Sequence, residues 1–521
     1  MRAAGFTRNE IDQELFQNRI VLASDLQKYQ RPKLGSTPAD TIQSLAIEDP
    51  QHPPFYFLIA RFWMQAFGSS LTASRVLPVL FSLMGLPLMY ALGLELFASP
   101  IIAILATVLL ALSPFDILFA QTARQYSLLT TTAIGSSFLL LRAIRLPKLG
   151  NWGLYALSNA LGFYTHPFFG LTVIAQGVYV LLLELPVRKP SFTGVDEPIS
   201  SSGRGGKLGF FGRGTGHKTV IQFLLAIAGS LLLYAPWLIV LATNYQRAAA
   251  TTDWTRGKVD FLYLVKLWIL SFSSLFFDLD FGFDNVWNYV PRLLILLLVA
   301  VAIYTLCCRT SRGTWLFVLT SIFVPFLILV LPDLLLGGKR SAVSRYLISC
   351  YPGIQLAVAY LLGAHILQGR KFWRGIMVVV TAGAIASCTV SAFSDTWWNK
   401  DLSYSNAEVA RRINAMPSPI VISDIGDDYT NTGDLISLSY LLRDNVSLLL
   451  LSQPPQLENV TSLQQSLQQG ESSQRSPLRS ADIELLVFRP SGKFIKGLKP
   501  AQGQLVEVFI PGRLWQLRKQ S

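Results

Sequence analysis

Charge is scarce in this sequence: 14% of the 521 residues are Asp, Glu, Lys or Arg, against 51% hydrophobic residues. A soluble domain carries about 25% charged residues, so that class is excluded and a membrane protein is expected. Cysteine is equally sparse. Cys307, Cys308, Cys350 and Cys388 lie in or beside apolar runs with no CxxC or Cys/His spacing. That excludes a metal centre of this kind and leaves them as small core residues. The sequence has no glycine-rich loop of the phosphate-cradling type, since SSSGRGGKLGFFGRGTG neither follows a strand nor opens onto a Lys-Ser/Thr pair. Residues 188–219 therefore read as a flexible basic linker. No internal repeat is visible, which disfavours a transporter built from matched halves. The formal charge of +13 is spread over short segments between apolar runs. It reports topology, and no nucleic-acid partner is expected.

What is present is a series of ten apolar segments, near 77–97, 100–117, 124–144, 150–165, 167–187, 220–243, 291–309, 314–333, 346–367 and 373–393. Each approaches the ~20 residues of one crossing. Loops rich in Lys and Arg (Arg142 to Lys148, Arg188 to Lys218, Arg309 with Arg312, Arg370 to Arg374) alternate with loops holding Asp116, Asp253, Asp260, Asp278, Asp280, Asp284 and Asp333. The positive-inside rule puts the first set in the cytoplasm and the second, with both termini, outside. Residues 1–76 contain no export signal or span of their own, so either an export helix lies upstream of Met1, which four loops agreeing on orientation favour, or the positive-inside orientation does not hold.

After Ser394, the runs PIVISD, VSLLLL, IELLVF and QLVEVFI alternate with the helical stretches NAEVARRINAM and TGDLISLSYLLRD. This pattern predicts a small extracytoplasmic α/β domain over 394–521. Asp424, Asp427 and Asp428 follow its first strand, where such folds place ligands, although a polar loop that caps the next helix accounts for them as well.

The polar chemistry gathers at EDPQHPPFYF. Phe55, Leu58, Ile59, Phe62, Trp63, Ala66 and Phe67 share one helical face, which predicts an interfacial amphipathic helix over 54–67 within a first external loop, 1–76. The Pro-Pro pair is expected to hold Gln51 and His52 extended, with Glu48, Asp49 and His52 at headgroup level. Gln121, Arg124 and Tyr126, then His166, then Lys339, Arg340 and Arg345 fall on the same predicted side. Cations on the face where the positive-inside rule disfavours them call for an anion, and a lipid phosphate is the natural one.

DPQHPPFYFLIARFWMQAFG, SPFDILFAQTARQYSLL, LGFYTHPFFGL and RYLISCYPG, in this order, resemble bacterial GT-C integral membrane glycosyltransferases, in the branch related to protein O-mannosyltransferases and lipid A aminoarabinose transferase. The resemblance spans about residues 40–370. It implies a polytopic α-helical membrane protein of about ten transmembrane helices, GT-C-like, in the bacterial plasma (inner) membrane. The implied reaction moves a sugar from a polyprenyl-phosphate-linked donor to a lipid, glycan or protein acceptor on the outer face, with no nucleotide sugar. An acid of the first external loop would take the acceptor's hydroxyl proton while cations stabilise the leaving lipid phosphate. Carried over, Asp49, Glu48 and His52 are the catalytic candidates. Arg124, Tyr126, Gln121, His166, Lys339, Arg340 and Arg345 are candidates for the donor phosphate. Two features depart from the family pattern. The acidic pair that usually follows a first helix has no counterpart at MRAAGFTRNE, and Thr122 stands where a Glu is frequent. No cofactor is required by these residues; a divalent cation is compatible with the carboxylates. The alternatives are a transporter or flippase of lipid-linked glycans, or a non-catalytic member that binds lipid-linked sugar.

Overall fold

The computed structural model describes residues 1–185, 217–398, 403–427, 430–453, 455–462, 483–499 and 502–518. Nearly all of the predicted 188–219 linker lies outside them, as does Asp428. The chain divides into two compact units: Met1–Glu48, Phe57–Ser70 and Phe393–Ser521 form one, and Asp49–Tyr56 with Leu71–Ala392 the other.

In chain order the N-terminal residues give α1 (Arg8–Leu15), β1 (Arg19–Leu22), α2 (Pro38–Glu48) and α3 (Phe55–Phe67). The apolar series follows as α4 (Leu71–Phe97), α5 (Pro100–Ala111), α6 (Pro114–Ala120), α7 (Tyr126–Arg145), α8 (Leu149–Thr165) and α9 (Phe169–Glu184). It continues with α10 (His217–Thr243), α11 (Tyr245–Thr252), α12 (Phe261–Ser273), α13 (Tyr289–Arg309), α14 (Arg312–Leu336), α15 (Tyr351–Leu367) and α16 (Lys371–Phe393). The C-terminal part holds α17 (Asn406–Asn414), β2 (Ser418–Ser423), α18 (Asn431–Ser439), β3 (Ser447–Leu450), β4 (Ile483–Phe488), α19 (Gly492–Gly497), β5 (Gln504–Phe509) and β6 (Leu514–Arg518).

Seven helical segments are long and apolar enough to cross a membrane, and α5 with α6, bent by 56° at Leu112–Ser113, makes up to eight. The polytopic helical class is therefore as expected, but the count of ten is not reached among the described residues. The 17-residue α8 and 16-residue α9 fall short of the ~20 residues a crossing needs, because Pro167 cannot continue the helix between them. The Ser344–Leu367 segment is 89% buried and central, whereas α16 is 17% buried and presents apolar side chains outward.

Buried polar side chains join the helices of this unit. Ser136 Oγ donates to Asn159 Oδ1 (2.7 Å), and Gln176 receives the Tyr155 hydroxyl (2.7 Å) while donating to Ser136 Oγ (3.0 Å), which ties α7, α8 and α9 together. In an apolar medium such groups must satisfy one another. Three acids expected in outward loops are buried for the same reason. Asp116 in α6 accepts from Gln355 (3.0 Å), Asp278 pairs with Arg292 (2.9 Å), and Asp333 accepts from Ser341.

The other unit is a six-stranded sheet in the order β1-β3-β2-β4-β6-β5. β2 pairs in parallel with β3 and β4, and the outer pairings are antiparallel. Val421 points into one apolar core with Leu448 and Leu486, while Ile420 and Ile422 point into another with Leu449 and Val487. Alternation along each strand thus buries both faces. The first core is completed by Ala4, Phe6, Ile11, Leu15, Leu26 and Tyr29, so the N-terminal residues cover one face of the sheet. β1 pairs antiparallel with β3, from Arg19 opposite Leu450 to Leu22 opposite Ser447.

Candidate functional site

The membrane unit collects most of the polar residues singled out in the sequence. Asp49 to His52 form a closed turn, His52 N–H donating to Asp49 O at 2.8 Å, rather than the extended segment expected before Pro53. Gln51 Nε2 reaches Asp49 Oδ1 (3.3 Å), and Trp237 Nε1 of α10 clamps the Pro50 carbonyl (3.0 Å). Pro50, Pro53 and Pro54 are buried, which fixes His52 against the helices.

Between α6 and α7 the chain breaks over Gln121 to Gln125. Ser113 caps α6 and Gln121 ends it, exposed; Arg124 is also exposed, whereas Gln125 and Tyr126 turn inward. Gln125 is fully buried and its Nε2 donates to His52 Nδ1 (3.1 Å). Sequence reasoning passed over Gln125, and nothing in its spacing separates it from the exposed Gln121.

His166 stands at the α8–α9 elbow. The elbow is tight because Gly162 faces the Phe169 ring, where a Cβ would come within 2.5 Å of ring carbons. Phe168 N–H donates to His166 Nδ1 (3.1 Å), so the neutral imidazole carries its proton on Nε2. Its ring centre lies 6.0 Å from that of His52 and 6.0 Å from that of Tyr126. Burial first, and then the charges of His52 and Arg345, hold His166 well below the ordinary histidine value, so it is neutral at physiological pH.

The third element is the turn from α14 to the helical segment Ser344–Cys350. Gly337 and Gly338 take positive φ (79° and 141°), and a Cβ on Gly338 would meet Asp333 Oδ1 at 2.7 Å. Asp333 Oδ2 accepts from the Ser341 N–H (2.6 Å) and hydroxyl (2.7 Å), and Trp268 Nε1 donates to the same hydroxyl (3.1 Å). These contacts fix the Gly337 to Ser341 turn that carries Lys339 and Arg340. Lys339 Nζ lies 5.2 Å and the Arg345 guanidinium 5.7 Å from the centre of the Trp254 ring. Arg345 also lies 5.5 Å from the Tyr346 ring, which packs edge-on against Phe168 beside His166. Among the described residues no carboxylate lies within 4.0 Å of Arg124, Lys339, Arg340 or Arg345. Lys339 and Arg345, each over an aromatic face and without a carboxylate partner, have the chemistry to receive an anion.

Glu48 falls in the other unit and has a different environment from the one expected of a catalytic acid. It is buried, paired with Arg2, and accepts from the Arg8 (2.5 Å) and Asn9 (3.1 Å) backbone N–H groups at the start of α1. Its lone pairs are taken up by structure. Arg61 of α3 is likewise fully buried, donating to Ser36 O (2.6 Å) and Thr41 Oγ1 (3.1 Å). Among the described residues no three His, Cys, Asp or Glu side chains are grouped to hold a metal ion.

The fold defines a multi-pass membrane protein with an α/β unit, and its helical unit gathers cations and two imidazoles among apolar helices. Residues 51–193 match the dolichyl-phosphate-mannose-protein mannosyltransferase family. The stretch contains His52, Arg124, Tyr126 and His166, and the match bears out the resemblance to GT-C membrane glycosyltransferases related to O-mannosyltransferases and aminoarabinose transferase. No curated protein matches the chain. Solved structures that resemble it include the Archaeoglobus fulgidus oligosaccharyltransferase tethered to an acceptor peptide (12% identity, TM-score 0.44, covering 76% of this chain and 56% of that one). Another is AglB from the same organism with an inhibitory peptide and a dolichol-phosphate (10%, 0.45, 90% and 64%). A third is ArnT from Cupriavidus metallidurans in the apo state (14%, 0.39, 97% and 95%). The chain thus spans 56–64% of the length of the two archaeal chains.

Proposed function

We propose that this chain is a membrane glycosyltransferase that takes a sugar from a polyprenyl-phosphate-linked donor and passes it to an acceptor on the outer face of the plasma membrane. The observation that carries this reading is the pair of cations without carboxylate partners, Lys339 and Arg345, held over Trp254, with Arg340 between them in the chain and a buried neutral His166 close to Arg345. A lipid phosphate that departs as the glycosidic bond breaks gains negative charge, and ordered guanidinium and ammonium groups stabilise it at no reorganisation cost. His166, with Nε2–H as donor, assists on the phosphate side. Asp49 is the acceptor-side base, and His52, held by Gln125, positions the hydroxyl it deprotonates.

The test is transfer from a radiolabelled polyprenyl-phosphate sugar by the protein in nanodiscs. Arg345→Ala and Arg124→Ala should abolish transfer while leaving folding intact. Wild-type turnover in both would sink the phosphate assignment, and donor movement between leaflets without transfer would point to a flippase.

A further inference from the structure

The α/β unit holds a cavity of its own. β2 lies at the centre of its sheet with β3 on one side and β4 on the other, so the chain leaves β2 in one direction and returns on the opposite flank. The carboxyl ends of three parallel strands thereby open around a crevice, the position where α/β sheets bind ligands. In this unit the crevice is a cavity of about 180 Å³ lined by Asp424, Gly426, Asp427, Ser452, Gln453, Ser491 and Lys493, with Ile425 and Pro455.

Its polar groups are of two kinds. Asp424 is fully buried and its carboxylate is saturated, accepting from Gly426 N (3.2 Å), Ser491 N (3.1 Å) and the Ser491 hydroxyl. It is the floor of the crevice. Asp427 Oδ2 accepts from Gly492 N (2.8 Å), which orients the carboxylate and leaves Oδ1 without a protein partner among the described residues. The Gln453 amide and Lys493 ammonium are likewise without protein partners there. Carboxylate oxygen, ammonium and amide thus present both acceptors and donors around one small space.

That combination selects among ligands. Two carboxylates against one ammonium repel a phosphate. A divalent cation would compete with Lys493 and finds Asp424 already saturated. Adjacent hydroxyls, each donor and acceptor, satisfy all three free groups at once, and a cavity of roughly 150 Å³ takes a six-membered ring. We infer that this crevice binds a neutral pyranose ring, as a free sugar or as one residue of a glycan. The inference is independent of the donor site in the membrane unit.

The experiment uses the full chain in phosphatidylcholine nanodiscs, free of sugar-based detergent. Saturation-transfer NMR with methyl α-mannopyranoside, methyl α-glucopyranoside and maltose should give saturable signals for at least one of them. Asp427→Asn and Lys493→Ala, both at exposed positions, should each weaken that affinity about fivefold or more while thermal unfolding stays unchanged. Arg345→Ala should leave it intact. The inference is overturned by equal signals in wild type and both variants, by absence of saturable binding of all three probes, or by loss of the signal in Arg345→Ala. Displacement of the sugar by inorganic phosphate or calcium at equal concentration would overturn it too.

Discussion

Replacing Asp333 by alanine separates the placement of the cations from their identity. The carboxylate holds the Gly337 to Ser341 turn through two hydrogen bonds from Ser341, at 2.6 and 2.7 Å. Hydrogen bonds to a charged group contribute about 1.5–3 kcal/mol each, so the gross loss is about 3–6 kcal/mol. Part is recovered, because Asp333 Oδ1 is buried with no hydrogen-bond partner among the described residues, and removing the side chain removes that half-satisfied charge. A net loss of about 2 kcal/mol shifts the equilibrium between the anchored and the released turn roughly 30-fold toward release. Steady-state transfer from a polyprenyl-phosphate sugar should therefore show the donor KM raised, by up to that factor, with kcat changed less, while Asp333→Asn, which keeps an acceptor oxygen, retains most of the affinity. A donor KM for Asp333→Ala within about twofold of wild type, in protein that unfolds at the wild-type temperature, would refute the anchoring role.

Stability should depend on pH through His166. Its proton affinity in the folded protein is depressed, so below about pH 6.5 the unfolded chain binds more protons and stability falls as pH drops, by at most ~1.4 kcal/mol per pH unit. Thermal unfolding at pH 7.5 and 5.0 should show a smaller difference for His166→Gln than for wild type; equal differences would contradict the neutral buried imidazole. Arg292→Ala leaves Asp278 buried, 2% exposed, and should cost about 3–5 kcal/mol, read as a lowered unfolding midpoint and reduced yield in membranes. Gly162→Ala forces the Phe169 ring aside and should cost about 1–3 kcal/mol while lowering turnover through the displaced His166 elbow; unchanged unfolding and turnover would show that the elbow relaxes freely.

The helical membrane class was legible because long apolar runs have only one way to satisfy their backbone in lipid, the helix. The four strands read after Ser394 appear as β2 to β5, and the two helical stretches as α17, before β2, and α18, between β2 and β3, since local periodicity suffices for each. β1 escaped because RIVL is four residues long and its partner, β3, is more than 400 positions away, as the Asn18–Ser452 contact beside the pairing shows. β6 escaped for a similar reason: its five residues carry only a short apolar-polar pattern and are recognised by pairing with β4 and β5. For the site, residue type and chain order singled out His52, Arg124, Tyr126, His166 and Arg345, because ionisable groups beside apolar runs are rare and conspicuous.

Sequence by itself determined the class of protein, the position of most apolar helices and the polar side chains from which a site would be chosen. Tertiary structure decided which of those side chains are already occupied. Glu48 and Arg61 have the right chemistry for the site, but Arg2 and the start of α1 take the one, and Ser36 with Thr41 the other. Conversely, Gln125 and Trp254 carry no local signal and meet His52 and Arg345 only through contacts between distant segments, while Asp333, conspicuous as a loop acid, is used up by Ser341. A hydrogen bond or a cation over a ring is a pairwise property. The sequence names the groups able to form it, and only the folded chain chooses the partner.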